Sequence, residues 1–162
     1  MRVRGLDSKL ARLNGSGSRS DRKILAELAK AREGLAYWLL EAYRKSTKWK
    51  VRRGCIYYAL AANCSGSHAV SLARLALKDR SRYVRGRAYE LCAFLAVREL
   101  LPDLRQIRQA TVEGEEAGDV RAAIDAIESG NPHYFLDREH TGTMKIYRAE
   151  EFLELLEKGE DP

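Results

Sequence analysis

The stretch Leu77-Lys78-Asp79-Arg80-Ser81-Arg82-Tyr83-Val84-Arg85-Gly86-Arg87-Ala88-Tyr89-Glu90-Leu91 decides how the fold is read. Leu77 ends one apolar helical pattern, Asp79 follows two residues later, and Val84-Arg85 opens the next helix. From there Val84, Ala88, Leu91, Cys92 and Leu95 recur at the three- and four-residue spacing that puts side chains on one helix face. Val51-Arg52 and Val120-Arg121 echo the Val-Arg step at offsets of 33 and 36 residues. Each step is expected to begin the second helix of a helix pair. Repeats of that length build solenoids, in which a pair buries its apolar face only against its neighbours.

Outward from this stretch the same periodicity continues. Ser20-Asp21 supplies an N-cap signal, and the apolar residues from Ile24 to Tyr43 keep helical spacing. Gly34 either divides that run into two helices or marks a close-packing point, and Trp38 within it is expected in the core. Trp49-Lys50-Val51-Arg52 opens the next helix, with Val51, Cys55, Tyr58, Ala59 and Ala62 on one face. Asn63-Cys64-Ser65-Gly66-Ser67 breaks it, and a short helix carrying Ala69, Leu72, Ala73, Leu75 and Ala76 follows. Pro102 suits a first helical turn, where its missing N–H has no partner to lose. Val120, Ala123, Ile124 and Ile127 mark the last helix of this kind, and Gly130 and Pro132 end it.

After Pro132 the pattern changes. His133-Tyr134-Phe135-Leu136 and Thr143-Met144-Lys145-Ile146-Tyr147 are β-prone, and a two-stranded hairpin is expected, packed on the helices because a lone hairpin is only marginally stable. Phe152, Leu153, Leu155 and Leu156 predict a short terminal helix. The expected organisation is a flexible N-terminal arm over 1–19, a helical repeat domain over 20–130, and a hairpin–helix cap over 131–162 on the same domain. Within the arm, Leu6, Leu10 and Leu13 are spaced for one or two helical turns ahead of Asn14-Gly15-Ser16-Gly17-Ser18.

The pattern Leu77-x-Asp79-x-x-x-x-Val84-Arg85-x-x-Ala88-x-x-Leu91 resembles the HEAT repeat. The resemblance implies a mainly α chain, a short HEAT-like α-solenoid of about three helix pairs across residues 35–130. In that family an Asp and an Arg from adjacent repeats or turns form a charged ladder along the inner seam, and the Val and Ala pack into the core. By position, this implies ladder roles for Asp79 and Arg85, and for Arg52 and Arg121 at the flanking steps. Ser46 stands at the Asp position before Val51-Arg52 and Glu115 before Val120-Arg121, so the continuity of the ladder stays open.

Charge is unevenly spread over the 162 residues, whose net charge is +6. Residues 1–60 hold 15 Lys/Arg against 5 Asp/Glu, a balance of +10, and residues 61–110 hold 9 against 4, or +5. Residues 111–162 hold 5 against 14, or −9. Such a dipolar chain suits an electrostatically complementary partner. No apolar run approaches the ~18 residues of a membrane span. Arg2 and Arg4 are not followed by the apolar core of an export signal, so a cytoplasmic location is expected. The cysteines Cys55, Cys64 and Cys92 are odd in number and lack metal spacing, and are expected to be small buried hydrophobes.

Catalytic signatures are sparse. There is no Gly-rich phosphate loop, no His-Glu-x-x-His and no Gly-x-Ser-x-Gly. Cys64 and His68 lie four apart but across a Ser-Gly-Ser break. His133, Asp137, Glu139 and His140 form the densest polar cluster, yet Asp137 and Glu139 suit a turn in which Gly142 supplies a positive φ. No metal, cofactor or catalytic residue is assigned. The segment His133–Gly142 is similar to C-terminal segments of small bacterial helical-repeat proteins that act as immunity partners of secreted toxins.

The expected function is a non-catalytic protein-binding module, and most specifically an immunity protein that neutralises a secreted bacterial toxin. Interfaces concentrate their energy in aromatic and Arg anchors. The candidates near the turns are Trp49, Arg53, Tyr57, Arg82, Tyr83 and Arg87, and at the acidic end Glu113, Glu115, Glu116 and Asp119. The alternative is nucleic-acid binding through the basic half, with Lys48, Lys50, Arg52, Arg53, Arg80, Arg82, Arg85 and Arg87 on phosphates. HEAT-like pairs with a basic concave face also occur in helical-repeat DNA glycosylases.

Overall fold

A computed structural model describes residues 34–144, together with Ser8, Leu10, Arg12, Glu154 and Lys158. Six α-helices follow in order: α1 (Leu35–Lys45), α2 (Trp49–Ala61), α3 (Ser67–Leu77), α4 (Arg82–Leu95), α5 (Leu101–Ala110) and α6 (Glu115–Ser129). Short 3₁₀ turns at Arg98–Leu100 and Pro132–Phe135 precede α5 and follow α6. The chain is mainly α, and no strand occurs among the described residues. None of the described helices is long and apolar enough to cross a membrane. Two compact units divide within α3: Met1–Ala69 with Tyr147–Pro162, and Val70–Ile146.

In the first unit α1 packs on α2. Gly34, at φ 70°, starts α1, a left-handed turn that a side chain would strain. Leu39, Leu40 and Tyr43 of α1 are buried, as are Val51, Cys55, Ile56, Tyr58 and Ala59 of α2. Leu10 is helical and fully buried, and its carbonyl lies where a Cβ at Gly54 would stand. Glycine is what lets the two backbones approach this closely. Trp38 departs from expectation. It is 37% exposed and meets the Tyr37 ring edge-on at 5.5 Å, because the buried stripe of α1 is filled by Leu35, Leu39 and Tyr43.

In the second unit α6 is the shared partner, packed by α4, by α5 and by the Pro132–Phe135 turn. Its buried face is rich in small residues (Ala117, Ala122, Ala123 and Ala126), around Val120 and Ile127. From α4, Val84, Ala88, Leu91 and Cys92 are completely buried, the face the periodicity predicts. Burying a Val or Leu side chain contributes about 1.5–3 kcal/mol. Pro102 sits in the first turn of α5, and Gly130 at φ 65° ends α6.

The first two Val-Arg steps open their helices in the same way, 33 residues apart. Lys48 before α2 adopts φ −86° and ψ 116°, and Ser81 before α4 adopts φ −86° and ψ 120°. The Val51 N–H donates to the Lys48 carbonyl at 3.1 Å, and the Val84 N–H to the Ser81 carbonyl at 3.0 Å. Ser46 Oγ accepts the Lys48 N–H at 3.2 Å, while the Asp79 carboxylate accepts the Ser81 N–H at 2.8 Å. Arg52 Nη1 reaches back to the Ser46 carbonyl at 3.2 Å, and Arg85 Nη1 to the Asp79 carbonyl at 2.9 Å. The third step differs. Helix α6 starts at Glu115 after Gly114 at φ 91°, so Val120-Arg121 lies well inside the helix, with Val120 buried and Arg121 exposed.

The expected C-terminal hairpin is not formed. His133-Tyr134-Phe135 belongs to the 3₁₀ turn, and residues 141–144 are not strand. Asn131 explains the difference: its side chain accepts the His133 N–H at 3.1 Å and Pro132 takes the first turn, a helix-start signal that overrides β-propensity. Asp137 then folds the loop, its Oδ1 accepting from the Thr141 N–H at 2.9 Å and the Thr141 hydroxyl at 2.8 Å. Its Oδ2 accepts the Gly142 N–H, and Gly142 has φ 74°. The part of the predicted Ile24–Tyr43 run before Gly34, the N-terminal arm and the terminal helix fall largely outside the described residues.

Candidate functional site

Residues Arg82, Tyr83, Gly86, Arg87 and Glu90 recur at helical spacing on the face of α4 opposite its buried one. With Thr111 and Glu113 from the loop before α6, Glu115, Glu116 and Asp119 from its start, and Phe135 from the turn behind it, they line a concavity of about 520 Å³. Seven of the ten residues predicted to meet a partner thus converge here. Tyr83 is 56% exposed, with the Arg82 guanidinium 5.5 Å from its ring centroid.

The concavity has a rigid back wall. Arg85 is bidentate to Glu116, Nε to Oε1 at 2.6 Å and Nη2 to Oε2 at 3.0 Å, and the Tyr89 hydroxyl donates to Glu116 Oε1 at 2.7 Å. Arg85 also holds the Asp79 and Arg80 carbonyls, so one guanidinium ties the start of α4 to the start of α6. The Arg85 hydrogen bonds hold the Glu116 carboxyl below its usual value; burial opposes them and Tyr89 assists. Burial, reinforced by Glu116, pushes the Tyr89 hydroxyl up.

Three more ion pairs surround this wall. Arg82 meets Glu115 at 3.2 Å with both side chains largely exposed, and such pairs contribute only about 0–1 kcal/mol. Arg87 holds Glu90 at 2.6 Å, and Arg138 holds Asp119 at 2.5 Å. Glu113 is exposed, and no ion pair to it occurs among the described residues.

The other three predicted contact residues lie on α2, in the first unit. Trp49 is half-buried, with the Arg53 guanidinium 5.1 Å and the Lys50 ammonium 5.9 Å from its ring centroid. Tyr57 is half-buried on the same helix. Nearby in sequence, Cys64 lines a hollow of about 400 Å³ together with Tyr37, Asn63 and His68. Burial pushes the Cys64 thiol up to about 11, the opposite of an activated nucleophile. Cys55 and Cys92 are fully buried in helix faces.

The His133–His140 cluster resolves into structural contacts. His140 Nε2 lies 2.6 Å from Asp125, and its ring stacks on Tyr134 at 3.6 Å. Burial would raise the Asp137 carboxyl, but hydrogen bonds from Thr141 and Gly142 hold it below its usual value. No three His, Cys, Asp or Glu among the described residues stand close enough to hold a metal.

Sequence reasoning named Glu116 as a contact residue but not as the partner of Arg85, and it missed Tyr89, which completes that triad one helical turn after Arg85, a spacing visible in the sequence. Gly86 and Phe135 line the concavity without any sequence signal of their own. No protein-family model matches the chain, and no curated protein matches it.

Proposed function

We propose that the chain is a non-catalytic protein-binding module that engages its partner through the concavity between α4 and α6. The observation that carries this reading is the convergence of an exposed Tyr83, the exposed Arg82–Glu115 pair and an exposed Glu113 around one hollow with a rigid back wall. Rigid walls lower the ordering cost of binding, and exposed charges at the rim set encounter rate and specificity. The more specific reading is a cytoplasmic, HEAT-like immunity protein that blocks a secreted bacterial toxin. It rests on the sequence resemblances, the absence of catalytic motifs and the segregated charge.

The nucleic-acid alternative is weakened by internal pairing. Of its eight phosphate donors, Arg52 is buried on the Ser46 carbonyl, while Arg82, Arg85 and Arg87 each hold a glutamate. Co-expression with the products of genes adjacent to its own tests the proposal. The expected result is a stable complex that co-purifies and is weakened by Tyr83→Ala. Failure of every neighbouring product to form a complex overturns the immunity reading.

A further inference from the structure

The inference starts from two helical glycines. Glycine inside a helix is unfavourable relative to alanine, so its presence calls for a reason. Gly54 has one within the chain, since a Cβ there would collide with the Leu10 carbonyl. Gly86 has none among the described residues: its φ is not in the left-handed region, and a Cβ built on it meets none of them within 4 Å. Yet Gly86 lines the concavity, between Tyr83 and Glu90.

We infer that Gly86 is the bare floor on which the partner lies, and that the partner enters the concavity with a cationic side chain, an arginine or lysine on an extended segment. This rests on the protein-binding reading above and adds the chemistry of the guest. The charge balance selects a cation. Among the described residues, five carboxylates and two guanidiniums line the hollow, and bringing in Arg85 and Arg138 from outside it still leaves Glu113 over. A guest at Gly86 lies against helix backbone with no side chain between, which is the use of glycine where another molecule must come close.

The test is an NMR titration of the full chain with tetra-arginine, tetra-lysine and tetra-glutamate peptides. Saturable shifts at Gly86, Glu90, Glu113 and Asp119 are expected with the cationic peptides and not with tetra-glutamate. Gly86→Trp, which fills the hollow, should weaken tetra-arginine at least tenfold, and Glu113→Lys at least threefold. Gly86→Ala should stay within about threefold of the parent, and a cooperative unfolding transition establishes that each variant folds. Absence of saturable shifts at the hollow, equal binding of tetra-glutamate, or undiminished binding by folded Gly86→Trp overturns the inference. If a neighbouring gene product still forms its complex while the peptides fail, the cation is wrong and the binding module stands. If the peptides bind as described but no protein complex forms, the hollow takes cations and the proposed module falls.

Discussion

Helices α2 and α4 open with the same backbone and trade two residues. Aligned on their Val-Arg steps, α2 continues Arg53-Gly54 where α4 continues Gly86-Arg87. In α2 the glycine lies inward, beneath the Leu10 carbonyl, and the half-buried arginine lies over Trp49. In α4 the glycine lines an open concavity and the arginine pairs with Glu90. One exchange of neighbours turns a helix that accepts another backbone inside its unit into one that offers a bare patch outside. Repeats diverge cheaply in this way because the opening geometry is carried by main-chain bonds, which leave the exposed side chains unconstrained.

The largest way to break this comparison is Gly54→Ala. The added Cβ collides with backbone rather than with a flexible side-chain tip, so urea unfolding should show a loss of about 3 kcal/mol, at the upper end of overpacking costs. Next is Glu116→Gln, which removes the charged anchor of Arg85 and Tyr89 in α4; about 2 kcal/mol should be lost at neutral pH. That loss should depend on pH. The folded carboxyl sits below the ordinary glutamate value of 4.5, so its contribution is complete above that value and disappears as pH falls through the lower folded one. Unfolding measured from pH 7 downward should therefore bring parent and variant together in acid.

The two helix-entry turns sharpen the comparison. Asp79→Ala should cost about 1 kcal/mol and Ser46→Ala about 0.5, because a carboxylate at 2.8 Å is a stronger acceptor for the helix-entry N–H than a hydroxyl at 3.2 Å. Thermal unfolding of the paired variants reads the difference. Smallest, and of opposite sign to Gly54→Ala, is Gly86→Ala. With open space above it and a helical backbone, alanine there should stabilise by about 0.5–1 kcal/mol, seen as a higher Tm.

The sequence periodicity located the helices well because a buried face must repeat at the helical period whatever it packs against. Val84, Ala88, Leu91 and Cys92 were legible for that reason. The C-terminal segment differs from its β-prone composition because Pro132, which stops α6, also follows an Asn131 whose side chain starts a new turn. Trp38 was placed in the core on residue type, but α1 had enough apolar residues to fill its stripe without it. Arg85 was legible as structural. Its partner was not, since Glu115 and Glu116 differ by one residue and helix phase decides which one faces α4. The convergence of Arg82, Tyr83 and Glu113 is a property of packing between elements some thirty residues apart, and Gly86 gains meaning only once the space above it is known.

The sheltered cysteines give this molecule built-in clocks. Cys55 and Cys64 lie in one compact unit and Cys92 in the other, each less than a tenth exposed. Burial keeps Cys64 and Cys92 protonated at neutral pH, so alkylating reagents must wait for the chain to open around them. The order in which the three sulfurs acquire label, followed by mass spectrometry, therefore reports which unit breathes first, in the unaltered protein and without any added probe.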